Sequence, residues 1–391
     1  MKDKLTLVKE AMDRAIEAKE VAGVSLLVLK DGKETLYAQS GHSDIAGNIP
    51  MNRDVIVHLY SQSKPITAAA AMLLMQDGLI DLNEPVEKYL ESFRNQQCLI
   101  DGSVCNVPDD RKMRIVDLLN MTSGLVYPGG STVAERETCV LFDDAIKRLA
   151  ADSATPMMTT MEFADRIGRI PLQFIPGTRF QYGTSADVLG ALIERVSGQS
   201  FGDFLKERLF DPLDMVDTGF FVPESKRNRL SKVYAVADGE FKEFKEDRLI
   251  IRSDGKENAF ESGGAGLFST LDDYAHFGQM LINNGTYNGK MVMNTETVRF
   301  MTTSALKEAP QHAFDYWNGL DGYTYANLMR VLVRPEQAIL LGHKGEYGWD
   351  GWLGAYFMND PETRTTILMF TQMTDYGTGY LTRKLRNIVL S

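Results

Sequence analysis

Three serines in this 391-residue chain stand three places before a lysine: Ser61/Lys64, Ser253/Lys256 and Ser304/Lys307. Three positions are about one helical turn, so the amine can reach the hydroxyl. An amine so placed can act as the base for a serine nucleophile. Context separates the three pairs. Ser253 lies in the polar run Arg252-Ser253-Asp254-Gly255-Lys256, which reads as a turn. Ser304 follows Met301-Thr302-Thr303 and precedes Ala309-Pro310, a fraying helix end. Ser61 alone opens a long, alanine-rich apolar helix, which a core can hold rigid, and a helix N-terminus offers unpaired N–H groups and a positive dipole. The same position suits a plain N-cap serine, so spacing alone leaves both readings open.

The serine-hydrolase signature G-x-S-x-G occurs as Gly198-Gln199-Ser200-Phe201-Gly202. It requires a strand entering the serine and a helix leaving it. Here Val188 to Val196 are helically spaced and Asp203 completes a capping box, so Ser200 is expected only to cap a helix. A Ser/His/Asp triad would need a histidine. His343, in Gly342-His343-Lys344-Gly345, is the best placed, and a structural role is expected for it. Tyr182 follows the turn Pro176-Gly177-Thr178-Arg179 and shares one side of an extended segment with Phe180. Facing a Ser–Lys pair it could shuttle protons if nearby cations lower its pKa; alone it reads as a packed aromatic. The run Gly263-Gly264-Ala265-Gly266 lacks the G-K-[ST] and Rossmann spacings of phosphate loops. It is expected to mark a close backbone approach before Thr270 caps a helix over 271–283.

A net charge of −11 repels phosphate over most of the surface, so nucleic acid is not an expected partner. No stretch is long enough to span a bilayer. The first residues lack a signal core, and Leu5, Val8, Met12, Ala15 and Ile16 follow the spacing of an amphipathic surface helix. A soluble cytoplasmic protein without a membrane partner is therefore expected. Cys98, Cys105 and Cys139 cannot all pair; Cys98 and Cys105 could face each other across a turn, and free thiols are expected. No Cys/His cluster has zinc spacing, so neither a metal nor another cofactor is expected.

The elements that must position Ser61 begin with a strand at 23–30, turned by Asp31-Gly32 into a partner at 34–39. Residues from about 80 to 230 read as short helices and loops. They include a buried helix over 114–125 closed by Ser123-Gly124 and another over 185–198. Later apolar runs at 337–341, 355–358 and 365–371 read as strands, and 381–390 as a closing helix. The organisation expected is a sheet domain from residues 1–78 and 235–391, with a helical domain over 79–234 inserted.

Taken together, the motifs resemble the penicillin-recognising serine hydrolases of the class C β-lactamase type, and among them the family VIII carboxylesterases. The resemblance rests on Ser61-x-x-Lys64-Pro65-Ile66-Thr67, Leu118-Leu119-x-x-Thr122-Ser123-Gly124-Leu125 and Pro176-Gly177-x-x-Phe180-x-Tyr182. It continues through Asp187-Val188-Leu189-Gly190, Gly264-x-Gly266-Leu267-x-Ser269-Thr270 and Gly348-Trp349-Asp350-Gly351-x-x-Gly354. It implies an α/β (α+β) fold with a central antiparallel sheet flanked by helices, an inserted helical domain and a site in the cleft. It implies Ser61 as the acylated nucleophile, Lys64 as base or partner of Tyr182, and Tyr182 as proton donor to the leaving group. The oxyanion hole would be the N–H groups of Ser61 and Trp352, the residue after Trp349-Asp350-Gly351.

Two departures from the β-lactamase pattern bear on substrate. The third motif usually begins with a cation that holds a carboxylate, and Trp349 stands there. The asparagine two residues after the tyrosine is Thr184. Both changes favour neutral, apolar acyl esters. A second register, His343-Lys344-Gly345, would restore the cation; Trp349 is preferred because its triplet runs straight into a strand at 355–358. The activity expected is hydrolysis of short-chain carboxylic esters through an acyl-serine, with small-molecule esters or amides as partners. A β-lactamase or D,D-peptidase, and a non-catalytic binding protein on the same scaffold, are the alternatives.

Overall fold

The computed structural model describes residues 2–391. Its centre is an eight-stranded antiparallel sheet drawn from both ends of the chain. Strands β1 (Gly23–Lys30), β2 (Lys33–Asp44) and β3 (Ile49–Pro50) come from the N-terminal end. The C-terminal end supplies β4 (Tyr323–Ala326), β5 (Met329–Leu332), β6 (Tyr347–Asp350), β7 (Tyr356–Asp360) and β8 (Thr365–Phe370). Their order is β4-β5-β6-β7-β8-β1-β2-β3, so the first strand of the chain lies against the last, with Ser25 opposite Phe370. Asp31 and Gly32 both take positive φ, 50° and 74°, in the tight turn that joins β1 to β2.

Helix α1 (Lys4–Glu17) precedes the sheet and α2 (Lys64–Gln76) follows β3. The middle of the chain forms α3 (Ile115–Leu119), α4 (Val133–Arg148), α5 (Thr160–Ile167), α6 (Ser185–Ser197) and α7 (Phe201–Leu205). Then come α8 (Leu271–Ile282), α9 (Thr295–Thr303), α10 (Glu308–Phe314) and the terminal α11 (Tyr380–Leu390). β1 is buried from Gly23 through Val28 because both faces of the sheet are covered. On one face, Val24 and Leu26 pack with Val8 and Met12 of α1 and Leu381 and Leu385 of α11. On the other, Leu27, Phe357 and Leu368 join the larger core with α2 and with Phe277 of α8.

α2 is buried along Lys64 to Leu74. Its Ala68–Ala71 run is small enough for α6 to pack closely, and Pro65 suits the first turn, where its missing N–H costs nothing. α6 ends as expected at Gly198, whose φ of 72° serves the C-terminal cap.

Three expectations are corrected. Residues 337–341 are not a strand; Ile339 and Leu341 are exposed, and the strands of this region are β4 and β5. The apolar run misled because no sheet face covers it. The helix expected over 114–125 stops at Leu119, and Met121 and Gly124 take positive φ, 54° and 85°. Tyr182, whose shuttle role called for a lowered pKa, has a raised one, for reasons given below. Cys98 and Cys105 do stand opposite each other on a small hairpin, as free thiols. Among the described residues, no helix is long and apolar enough to cross a membrane.

Candidate active site

The chain enters the site through Val57–His58, which pairs with Phe268–Ser269. Tyr60 then takes φ of 46°, left-handed backbone that a bulky residue rarely adopts and that clusters at functional turns. Ser61 lies in the 3₁₀ turn Tyr60–Ser63, and α2 begins only at Lys64. The Ser61 hydroxyl therefore caps no helix. It accepts a hydrogen bond from Lys64 Nζ at 3.2 Å.

Lys64 Nζ also donates to Gly264 O at 2.9 Å and to the Tyr127 hydroxyl at 3.2 Å. It stands 4.5 Å from the centre of the Tyr182 ring. The residue is fully buried and, among the described residues, forms no ion pair. Burial pushes its pKa from 10.5 down to about 7, against the pull of the Asp187 and Asp350 carboxylates. A shift of that size is worth about 5 kcal/mol between the two protonation states. The amine is thus neutral in a large fraction of molecules near neutral pH.

Asp187, the first residue of the Asp187-Val188-Leu189-Gly190 run, holds Lys64 in place indirectly. It accepts from the Ser262 hydroxyl and from Gly264 N at 3.0 Å, and so fixes the carbonyl that Lys64 uses. The glycines here are needed for space: a Cβ on Gly263 would lie 2.3 Å from Ala186 O.

Tyr182 accepts a hydrogen bond from Trp349 Nε1 at 2.9 Å. Its ring meets Trp317 edge-on, with centres 5.1 Å apart, and Tyr325 meets Trp349 in the same way at 4.9 Å. Burial pushes the phenol well above its usual range, only partly opposed by the Ser61 hydroxyl and the Trp349 N–H. The Lys64 amine lies over the ring, and burial still leaves the shift upward. Tyr182 therefore stays protonated.

Gly351 lets the end of β6 close on the Ser61 turn, since a Cβ there would sit 2.1 Å from Leu59 O. Trp352 follows and packs edge-on against Tyr60, with ring centres 5.0 Å apart. Asp350 accepts from Thr378 Oγ1 at 2.6 Å. A cavity of about 350 Å³ is lined by Ser61, Tyr182, Trp317, Trp349, Gly351 and Trp352, among others.

The other candidates lie elsewhere. His343 Nδ1 bonds Asp360 Oδ2 at 2.6 Å. Asp360 ends β7 four residues from Tyr356, the partner of Asp350, which is about 13 Å along a strand. Ser200 caps α7 by accepting from Asp203 N at 3.1 Å. Ser253 donates to Lys245 O at 2.7 Å and Ser304 to Phe300 O at 2.6 Å. Thr184 is buried and turns its hydroxyl to Val126 O at 3.4 Å. Sequence reasoning missed Tyr127, Trp317 and the Gly264 carbonyl. Tyr127 lies two residues past the quoted Thr122–Leu125 motif, and that proximity was the only signal for it.

Residues 7–388 match the Beta-lactamase family. The chain belongs to the beta-lactamase family. Esterase EstB of Burkholderia gladioli is 27% identical over 398 residues, covering 96% of this chain and 93% of EstB. The lovastatin esterase of Penicillium rubens is 28% identical over 246 residues, covering 60% of this chain and 57% of that one. The solved structure of EstCE1, a hydrolase with promiscuous acyltransferase activity, superposes with a TM-score of 0.82 at 22% identity, covering 99% of this chain and 98% of EstCE1. This beta-lactamase-family serine hydrolase has the expected fold, a central antiparallel sheet flanked by helices.

Proposed function

We propose that the protein hydrolyses short-chain carboxylic esters through an acyl-serine intermediate on Ser61. The observation that carries this reading is the Lys64 amine, 3.2 Å from Ser61 Oγ, buried, without an ion pair and with a pKa near 7. In this reading residues 1–78 and 235–391 supply Ser61, Lys64 and the Trp349 strand, and the helical portion 79–234 supplies Tyr182 and Tyr127.

Neutral Lys64 takes the Ser61 proton as Oγ attacks the ester carbonyl. The N–H groups of Ser61 and Trp352 receive the negative oxygen of the tetrahedral adduct. Tyr182, held protonated, gives its proton to the departing alkoxide and is reprotonated by the Lys64 ammonium. Trp349 fills one acceptor position of the Tyr182 oxygen, leaving the phenolic hydrogen to point elsewhere. Water then repeats the sequence on the acyl-serine: Lys64 removes a water proton, the C–Oγ bond breaks and Ser61 regains its hydrogen. Tyr127 steadies the lysine amine throughout. The esterase names of the relatives support esters as the substrate class.

The test is turnover of p-nitrophenyl butyrate beside nitrocefin, with wild type and Ser61→Ala. Ester cleavage lost in Ser61→Ala, with little nitrocefin cleaved, is expected. Nitrocefin as the better substrate would make the protein a β-lactamase or D,D-peptidase. Activity surviving in Ser61→Ala would overturn the assignment of the nucleophile.

A further inference from the structure

The cavity that holds Ser61 also reaches Arg330 on β5. That arginine is 2% exposed, yet it is poorly partnered. Its Nη2 bonds Phe357 O at a long 3.3 Å and lies 3.9 Å from Glu346 Oε1. Among the described residues, no protein group accepts from its Nε or Nη1. The Tyr356 ring, 4.9 Å from the guanidinium carbon, covers one side.

The neighbouring Arg386 is different. It bonds Leu341 O through Nε and Nη2 at 2.9 and 2.7 Å, the Tyr356 hydroxyl through Nη1 at 3.1 Å, and Glu346 through Nη2. Arg386 thus holds Glu346 more closely than Arg330 does, and Asp350 is the other carboxylate whose charge Arg330 feels. The charged residues on the cavity wall are Arg330, Arg383, Arg386 and Asp350. With Glu346 behind them, one positive charge is left over, in a protein whose net charge is −11. The donors of Arg330 left free by the protein are not sealed in the core but border the cavity, where water or a ligand group can accept from them. Trp349 removes the cation expected beside the nucleophile; the structure carries cations farther along the same cavity instead.

We propose that Arg330 binds a carboxylate carried by the substrate at a distance from the scissile ester, so that the preferred substrates are esters bearing one free acid group. This rests on the ester-hydrolase reading and specifies its substrate class. The scissile C–O bond is cleaved as above, and the distant carboxylate takes no part in bond making.

The test compares kcat/KM for p-nitrophenyl butyrate, mono-p-nitrophenyl glutarate (acid on the acyl side) and 4-(butyryloxy)benzoate (acid on the alcohol side). Calorimetric titration of glutarate into the wild-type protein reads the subsite without turnover. At least one acidic ester is expected to be preferred over the neutral one by about 10- to 100-fold, the range of a charge-assisted hydrogen-bond pair. The identity of that ester tells which side carries the acid. Arg330→Met should reduce the acidic-to-neutral ratio by a similar factor, and Arg330→Lys should restore much of it. Should Arg330→Met fail to fold, wild-type selectivity, glutarate binding and the lysine variant still decide the matter. Neutral and acidic esters cleaved alike, with no glutarate binding, would overturn the proposal and leave the Ser61 reading intact. Glutarate binding lost in Arg330→Met, without cleavage of any ester, would support the subsite and sink the hydrolase reading.

Discussion

Trp349 Nε1 donates to the Tyr182 hydroxyl at 2.9 Å, joining the strand that ends beside the Ser61 turn to the residue that faces it from the helical side. In the proposed register Trp349 stands where a cation was the expected family feature, and it spends its one donor on the tyrosine. Trp349→Phe keeps the ring packing and removes that donor. The loss of one neutral hydrogen bond, about 1 kcal/mol, should lower kcat by about fivefold with a smaller change in KM. Steady-state kinetics on p-nitrophenyl butyrate read this directly; a rise in KM alone would assign Trp349 to substrate binding.

The neutral lysine gives the pH profile its sign. In the proposed mechanism Lys64 acts deprotonated, and its pKa is lowered to about 7, so kcat/KM should fall on the acid side of about pH 7. A profile that stays flat from pH 8 down to 5.5 would exclude Lys64 as the base.

The same shift makes a stability statement. The folded-state pKa lies below the unfolded value, 10.5, so the unfolded chain binds more protons between about pH 7 and 10.5. Stability contributed by this group therefore rises with pH across that window, by up to about 1.4 kcal/mol per unit, and is lowest below pH 7, where a charged amine is buried. Lys64→Met should abolish activity and flatten this rise. Denaturant titrations at pH 7.5 and 10 give the comparison, and an unchanged slope would contradict the assignment.

Ser200→Ala separates the two serine signatures. Its hydroxyl only caps α7, so the change should cost about 1 kcal/mol of stability and leave ester turnover within about twofold. Loss of turnover in a folded protein would reopen the G-x-S-x-G reading.

Gly263→Ala tests the backbone around the lysine. The added methyl would meet Ala186 O at 2.3 Å, and Thr67 Oγ1 bonds Gly263 O at 2.7 Å. Overpacking of this kind costs about 1–3 kcal/mol. A lowered melting temperature with reduced kcat is expected, because the shift is passed to Gly264 O and the amine it holds.

Much of this site was legible along the chain because its parts are local. Ser61 and Lys64 are one turn apart, and the apolar run that follows can only be a buried helix. The Asp31-Gly32 turn and the strands beside it carry their own backbone signals. What misled were segments whose fate depends on what covers them. The run 337–341 is as apolar as a strand but meets no sheet, while β4 and β5 carry arginine, tyrosine and threonine and are nonetheless buried. Tyr127 lay just outside a quoted motif and Gly264 inside one, but neither motif showed that they reach Lys64, from 63 and 200 residues away.

The sequence by itself determined the pairing of Ser61 with Lys64, the antiparallel sheet shared by both chain ends and the family. These follow from short-range spacing and from hydrophobic period. Only the tertiary structure decided that burial lowers the Lys64 pKa and raises that of Tyr182, that Trp349 rather than His343 meets the tyrosine and that Arg330 borders the same cavity. Protonation and partnership depend on burial and on groups far apart in the chain, and no local pattern encodes either.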